Sequence, residues 1–242
     1  MNKNLKKGII TFLTALLMCI TVVIIYSSDF YRADATATTA LQSIESVSVK
    51  TTDSMAVFSP EEAQAGFIFY PGGKVEYTAY APLMQKLAEN GVTCVITKMP
   101  LNLAVMDIKA ADDALDILSE LDKLYIGGHS LGGSMAASYI DKTDYIFDGL
   151  VMLAAYSTAD LTDNDIDVLL VSAGNDNVIN REKESKYTVN LPETAWVCHI
   201  AKGNHAQFGS YGIQKGDGIA TIPAEEQLQH TADAILEFMG IS

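Results

Sequence analysis

The chain has 242 residues, of which 49% are hydrophobic and 19% charged, so it holds enough apolar surface for one large domain or two small ones and is not a disordered chain. Thirty acidic side chains against 16 basic ones give a formal charge of −14. Such a surface repels nucleic-acid phosphates, and for the folded part it argues against polybasic attachment to anionic lipid. Three cysteines in a chain of this length exclude a disulfide framework.

At the amino end, Lys3, Lys6 and Lys7 precede an uncharged stretch from Gly8 to Ser28. Its core, Ile9 to Tyr26, would span about 27 Å as a helix, close to the ~30 Å hydrocarbon thickness of a bilayer. Lysines before it and none just after predict a cytoplasmic amino end and an exported remainder. Residues 1–28 are therefore read as a membrane anchor or signal segment. Ala33-Asp34-Ala35 and Ala35-Thr36-Ala37 both carry the small-x-small pattern of a cleavage site, and cleavage would yield a secreted protein. Residues 29–44, rich in Ala and Thr, are expected to be a tether, and 45–242 the folded domain.

Within that domain Ser46–Lys50 and Met55–Phe58 are short candidate strands. Gly66–Tyr70 is a continuous apolar run, as a parallel strand buried on both faces requires, and Pro71-Gly72-Gly73 breaks it. Tyr80, Leu83, Met84, Leu87 and Ala88 recur at helical spacing, and Asn90-Gly91 closes that helix. Val92–Thr97 is the next strand, and the apolar positions from Ile108 to Leu121 mark a helix. Leu124–Ile126 is a third buried strand, followed by Gly127-Gly128-His129-Ser130 and a small-residue helix from Leu131 to Asp141. Strands follow at Leu150–Ala154, Val168–Ser172 and Ala195–Ile200, and Pro223 opens a last helix reaching Met239. Strands alternating with helices predict an α/β fold with a mostly parallel sheet covered by helices on both faces. Cys94 and Cys198 fall inside strands and read as small core side chains.

Gly128-His129-Ser130-Leu131-Gly132 is a G-x-S-x-G sequence directly after a buried strand and directly before a helix. That placement suits a tight turn that exposes the serine Oγ, with glycine needed where neighbouring backbone passes close. A serine needs a base, and the base needs an acid. In this strand-turn-helix logic they follow in chain order on loops at the carboxyl ends of later strands. Asp176 lies in Ala173-Gly174-Asn175-Asp176, and His205 in Ala201-Lys202-Gly203-Asn204-His205. Asp176 would orient His205, and His205 would take the proton of Ser130 and return it to the leaving group. His199 and His230 lie on a strand and a helix and read as structural, and His129 adjoins the serine. Asp160, Asp163, Asp165 and Asp167 are alternative acids. Asp163-x-Asp165-x-Asp167 lacks the glycine and closing glutamate of a calcium loop, so no metal is expected, and no organic cofactor either. The oxyanion donors would be the N–H of Leu131 and that of Gly73, with Lys74 as the fallback. The loop from Gln207 to Gly218 is long, and Phe208 and Tyr211 within it are expected to wall a substrate pocket.

Tyr70-Pro71-Gly72-Gly73, Gly128-His129-Ser130-Leu131-Gly132-Gly133, Gly174-Asn175-Asp176 and Gly203-Asn204-His205 together resemble the α/β-hydrolase family, in its dienelactone-hydrolase-like and small esterase branches. The resemblance covers roughly Gly66 to Met239. It implies a serine hydrolase with Ser130, Asp176 and His205 as its triad and a small-molecule acyl ester as substrate. Pro71 stands where many members carry a histidine. The segment Ala154–Ile166 is too short for the helical cap many members insert, so no large cap domain is expected and the site should be open there. Two other readings stay open: a non-catalytic binding module on the same fold, and an acyltransferase using the same three residues.

Overall fold

The computed structural model describes residues 3–241, which divide into two units meeting between Phe30 and Tyr31. The first is helix α1, Lys3–Ser28, whose stretch Leu5–Tyr26 is long and apolar enough to cross a membrane.

The second unit is built on one eight-stranded sheet. Its elements are α2 (Ala35–Ala40), β1 (Val47–Thr51), β2 (Met55–Pro60), β3 (Ala65–Tyr70), α3 (Ala81–Glu89), β4 (Val92–Thr97), α4 (Ala111–Leu118), β5 (Leu124–His129), α5 (Leu131–Ile140), β6 (Gly149–Leu153), β7 (Asp167–Ala173), α6 (Arg181–Tyr187), β8 (Trp196–Ile200) and α7 (Ala224–Met239). The strand order is β1-β2-β4-β3-β5-β6-β7-β8. Strand β2 runs antiparallel to both β1 and β4, and β4 through β8 are parallel along the rest of the sheet. The mostly parallel architecture expected from the alternating pattern is what forms.

Period-two alternation divides the core. Phe67 and Phe69 of β3 point to the face packed by α3 and α7, with Leu83, Met84, Leu228 and Ile235. Ile68 and Tyr70 point to the opposite face, packed by α4 and α5, with Leu115, Leu118, Ala136 and Ala137. Both faces of β3 and β5 are thereby buried, which is why their sequences are continuous rather than alternating.

Three regions differ from the sequence expectation. The proposed tether is folded onto the domain from Tyr31 onward. Tyr31 donates its N–H to Lys74 O at 2.7 Å and accepts from Glu76 N–H at 2.8 Å, and Asp34 N–H donates to Ser210 O at 2.9 Å. The Asp34 side chain caps α2 by accepting from Ala37 N–H, and Ala37 and Ala40 are buried. Composition hid this because alanine methyls carry little hydropathy yet allow close packing. Strand β8 lies at the sheet edge, so Trp196, Val197 and His199 are exposed and Cys198 is only half-buried; Cys94 alone of the two is a core cysteine. Helix α6 lies in a stretch with no helical signal in the sequence. It has no buried residue and so no apolar stripe to read, and it is started by Asn180, whose side chain accepts from Lys183 N–H at 2.9 Å.

The docking of residues 31–44 has a measurable consequence. A chain beginning at Glu45 should melt below one beginning at Tyr31, by about 2–4 °C for each kcal/mol of contact removed. Calorimetry on the two chains checks this, and equal melting temperatures would mean the segment is indeed a tether.

Candidate active site

Ser130 occupies the turn between β5 and α5 with φ 52° and ψ −120°, a conformation that ordinary side chains avoid and that costs on the order of 1–3 kcal/mol. Its N–H donates to Leu153 O at 2.9 Å, which ties the turn to β6. The turn is pressed against the end of β3. A Cβ on Gly128 would lie 2.6 Å from Tyr70 O, and one on Gly132 would lie 2.1 Å from Tyr70 O and 2.5 Å from Pro71 O. These are backbone atoms that cannot swing aside, so glycine is required at both positions. Leu131 is the first residue of α5, and its N–H has no carbonyl one turn back within the helix.

The loop after β3 supplies a second amide. Gly72 N–H donates to Tyr80 Oη at 3.0 Å, and Lys74 N–H donates to Asn102 O at 2.7 Å. Between them, the Gly73 N–H has no acceptor among the described residues. A Cβ on Gly73 would touch Leu131 Cδ2 at 3.1 Å, so the two expected donors belong to adjoining residues. The committed bond of Lys74 removes it as the alternative.

Asp176 and His205 are brought together from the ends of β7 and β8. His205 Nδ1–H donates to Asp176 Oδ2 at 2.7 Å, and the two residues are 1% and 3% exposed respectively. Asp176 Oδ1 accepts from Val178 N–H at 2.8 Å and Ile179 N–H at 2.9 Å. Burial alone would push this carboxyl up. The His205 bond and charge, with the two backbone donors, outweigh burial and hold it below the ordinary 3.8. The acid turn is stitched by Arg181, whose Nη2 donates to Ala173 O and Asp176 O, each at 3.1 Å.

Two positioning residues were not legible in the sequence. Asp217 Oδ2 accepts from Ala206 N–H at 2.8 Å and its Oδ1 from Asn177 N–H at 3.3 Å, so one carboxylate joins the loop of His205 to the loop of Asp176. Gln227 of α7 is fully buried, accepts from Asn204 N–H at 2.9 Å and donates to Asn204 O at 2.8 Å. Each acts across a gap of more than ten residues, and nothing local marks it.

Phe208 and Tyr211 are not pocket walls. Phe208 is 0% exposed and Tyr211 6%, and both belong to the core. The loop is drawn inward where Ser210 N–H donates to Ala79 O at 2.7 Å. Phe208 packs its ring 5.6 Å from that of His129, and Tyr211 packs against Tyr31 at the same distance. An accessible cleft lies elsewhere. It has about 360 Å³ and is lined by Ala154, Tyr156, Leu170, Arg181 and Tyr187 among others. Ala154 follows the residue that binds Ser130 N–H. His199 and His230 lie outside the cluster. The first is exposed and 2.9 Å from Ser172 Oγ, and the second is 3.7 Å from Glu226.

The alpha/beta hydrolase family profile matches residues 66–229. The chain belongs to the α/β-hydrolase family. No curated protein matches the sequence. Solved structures that share the fold include a thermostable esterase from Pseudomonas putida, with a TM-score of 0.58 and 16% identity over 83% of this chain and 86% of its own. The acylaminoacyl peptidase of Pyrococcus horikoshii gives a TM-score of 0.54 and 14% identity over 81% of this chain and 42% of its own. This chain thus spans less than half the peptidase's length. At such identities the likeness is one of fold. Among the described residues of this α/β-hydrolase there is no large cap, and the β6–β7 connection contains no helix.

Replacing Asp176 by Asn tests the buried pair in two ways. A carboxylate held below 3.8 contributes stability that is complete above that pH and is lost as pH falls through the lower folded value. Wild-type melting temperature should therefore drop below pH 3.8 more steeply than that of Asp176→Asn. If the pair serves catalysis, the same variant should lose on the order of 10⁴-fold in kcat, because the amide favours the wrong histidine tautomer.

Proposed function

We propose that this α/β-hydrolase cleaves an ester or related acyl bond through an acyl-Ser130 intermediate. The observation that carries the reading is the buried 2.7 Å pair of His205 and Asp176, whose histidine ring packs 4.4 Å from that of His129, the residue before a serine held in a strained, glycine-flanked turn. A buried, hydrogen-bonded carboxylate fixes His205 with its proton on Nδ1, leaving Nε2 to receive the proton of Ser130. The N–H groups of Leu131 and Gly73 stabilise the oxyanion of the tetrahedral intermediate, and the α5 amino terminus adds its partial positive charge. His205 then protonates the leaving alcohol, and water repeats the sequence in reverse to free the acid. The reaction needs no metal or organic cofactor.

The cleft that begins at Ala154 takes the acyl chain. It starts one residue beyond the Leu153 carbonyl that binds Ser130, and its lining is mostly apolar. The domain works outside the cytoplasmic membrane, tethered by α1. Lysines 3, 6 and 7 hold the amino end of α1 in the cytoplasm. Both candidate cleavage patterns fall within residues 33–37, where the folded chain is capped and docked, which supports tethering over release.

The deciding experiment treats the wild-type chain and Ser130→Ala with a fluorophosphonate probe and with p-nitrophenyl esters of graded chain length. Labelling of the wild type alone, with turnover reduced at least ~10⁴-fold in the variant, is expected. Absence of labelling in folded wild-type protein would favour a binding module instead. The cleft assignment has its own check. Ser185 is exposed on α6 and lines the cleft. Ser185→Trp should depress kcat/KM for octanoyl esters about tenfold and spare acetyl esters, since one or two lost methylene contacts are worth ~1–3 kcal/mol. An unchanged chain-length profile would place the acyl chain elsewhere.

A further inference from the structure

Tyr80 and His129 form a buried pair that the proposed reaction does not use. Tyr80 is fully buried where the chain enters α3, and His129, 1% exposed, ends β5 immediately before Ser130. Their polar atoms meet: Tyr80 Oη and His129 Nδ1 are 2.8 Å apart. The protons can be assigned by elimination. Gly72 N–H is only a donor, and Tyr80 Oη accepts it at 3.0 Å. The hydroxyl proton of Tyr80 therefore goes to His129 Nδ1, the other polar atom within reach. A neutral His129 then carries its proton on Nε2. That atom is buried and completes no hydrogen bond by distance and angle, while the His205 backbone beside the ring favours a proton on it.

The pair sits between the two halves of the candidate site. On one side Gly72 neighbours Gly73, the proposed oxyanion donor. On the other the ring of His129 lies 4.4 Å from that of His205, with Phe208 behind it at 5.6 Å. We infer that Tyr80 and His129 are one positioning unit: the Tyr80 hydroxyl joins the oxyanion loop to the residue before the nucleophile and holds His129 as a neutral Nε2–H ring against which His205 packs. The inference rests on the reaction proposed above. Its physical content is twofold. The Gly72 anchor fixes where the Gly73 N–H stands relative to Ser130. A neutral neighbour lets His205 become an imidazolium without a like charge against its ring. Burial first, and the proximity of His205 second, keep the His129 value well below the ordinary 6.5, in agreement with a neutral ring.

The test uses the full-length chain. Tyr80→Phe keeps the aromatic ring, which packs 4.9 Å from Phe69, and deletes the hydroxyl. Removing an oxyanion donor outright costs ~10²–10³-fold in kcat, so loosening its anchor should cost less, about tenfold, with KM changed less than about twofold. His129→Leu should fall similarly, whereas His129→Gln, which retains an acceptor for the hydroxyl, should recover most of the rate. The double variant Tyr80→Phe/His129→Leu should be no slower than its slower parent, because the unit is already broken. Nitrogen-15 NMR of the wild type should show His129 as the neutral Nε2–H tautomer at pH values below the ordinary 6.5 as well as above it.

Multiplying effects in the double variant, equal rates for the Leu and Gln variants, or a proton on Nδ1 of His129 would each overturn the inference. If Tyr80→Phe does not fold, the Leu and Gln comparison and the NMR assignment decide it. Activity retained in Ser130→Ala would sink the catalytic reading instead, and a Tyr80→Phe enzyme at full rate beside a dead Ser130→Ala would sink this one alone.

Discussion

The close approach of two backbone segments organises the site. The carboxyl end of β3 runs against the β5–α5 turn so tightly that Tyr70 O and Pro71 O occupy the space a Cβ would need on Gly128 or Gly132. The parallel pairing of β3 with β5, from Gly66 opposite Leu124 to Tyr70 opposite Gly128, drives the segments together. Once they touch, the strained serine and the loop carrying Gly73 are fixed to one another. Neither the strain at Ser130 nor the free amide at Gly73 could be kept by local sequence alone, since each is held by the other segment.

Asp176 and His205, the proposed acid and base, arrive on loops and are secured by polar ties. Arg181 clamps the acid turn to the end of β7, and Asp217 spans from Asn177 to Ala206. Gln227 holds Asn204 from α7. The Gln227 bonds join groups that would be costly to bury unpaired, whereas the Arg181 and Asn177 ends of the other ties are exposed to solvent. The result is a histidine with almost no solvent contact and an ionised carboxylate behind it. On the His205 side these polar ties act together with apolar packing, since Ala206, Phe208 and Tyr211 of the same loop are buried in the core.

The segment after α1 belongs to the same network. Tyr31 pairs with the backbone at Lys74 and Glu76, and its hydroxyl accepts from Lys215 N–H at 3.0 Å. One residue thus touches the loop carrying the proposed oxyanion donor and the loop that follows His205. The chain leading out of the apolar helix is therefore built into the support of the candidate site. A short Ala/Thr helix suits this, because the methyl side chains at its buried positions, Ala37 and Ala40, let α2 lie close against α3.

The strand-helix alternation, the two-faced burial of β3 and β5, the apolar amino-terminal helix and the glycine-flanked serine were all legible in the residues. So was the candidacy of Asp176 and His205, because each is a chemically capable side chain just past a strand. These are local facts: periodicity, run length and residue type act over a few positions and survive without knowledge of distant neighbours. The tertiary structure alone decided what depends on meeting. It turned Phe208 and Tyr211 inward, exposed β8 by leaving it at the edge, and recruited Asp217, Gln227 and Arg181 as supports. It also gave His129 a partner in Tyr80, 49 positions away in sequence. Burial and hydrogen-bond satisfaction belong to pairs of segments, and a linear sequence does not state which segments will pair.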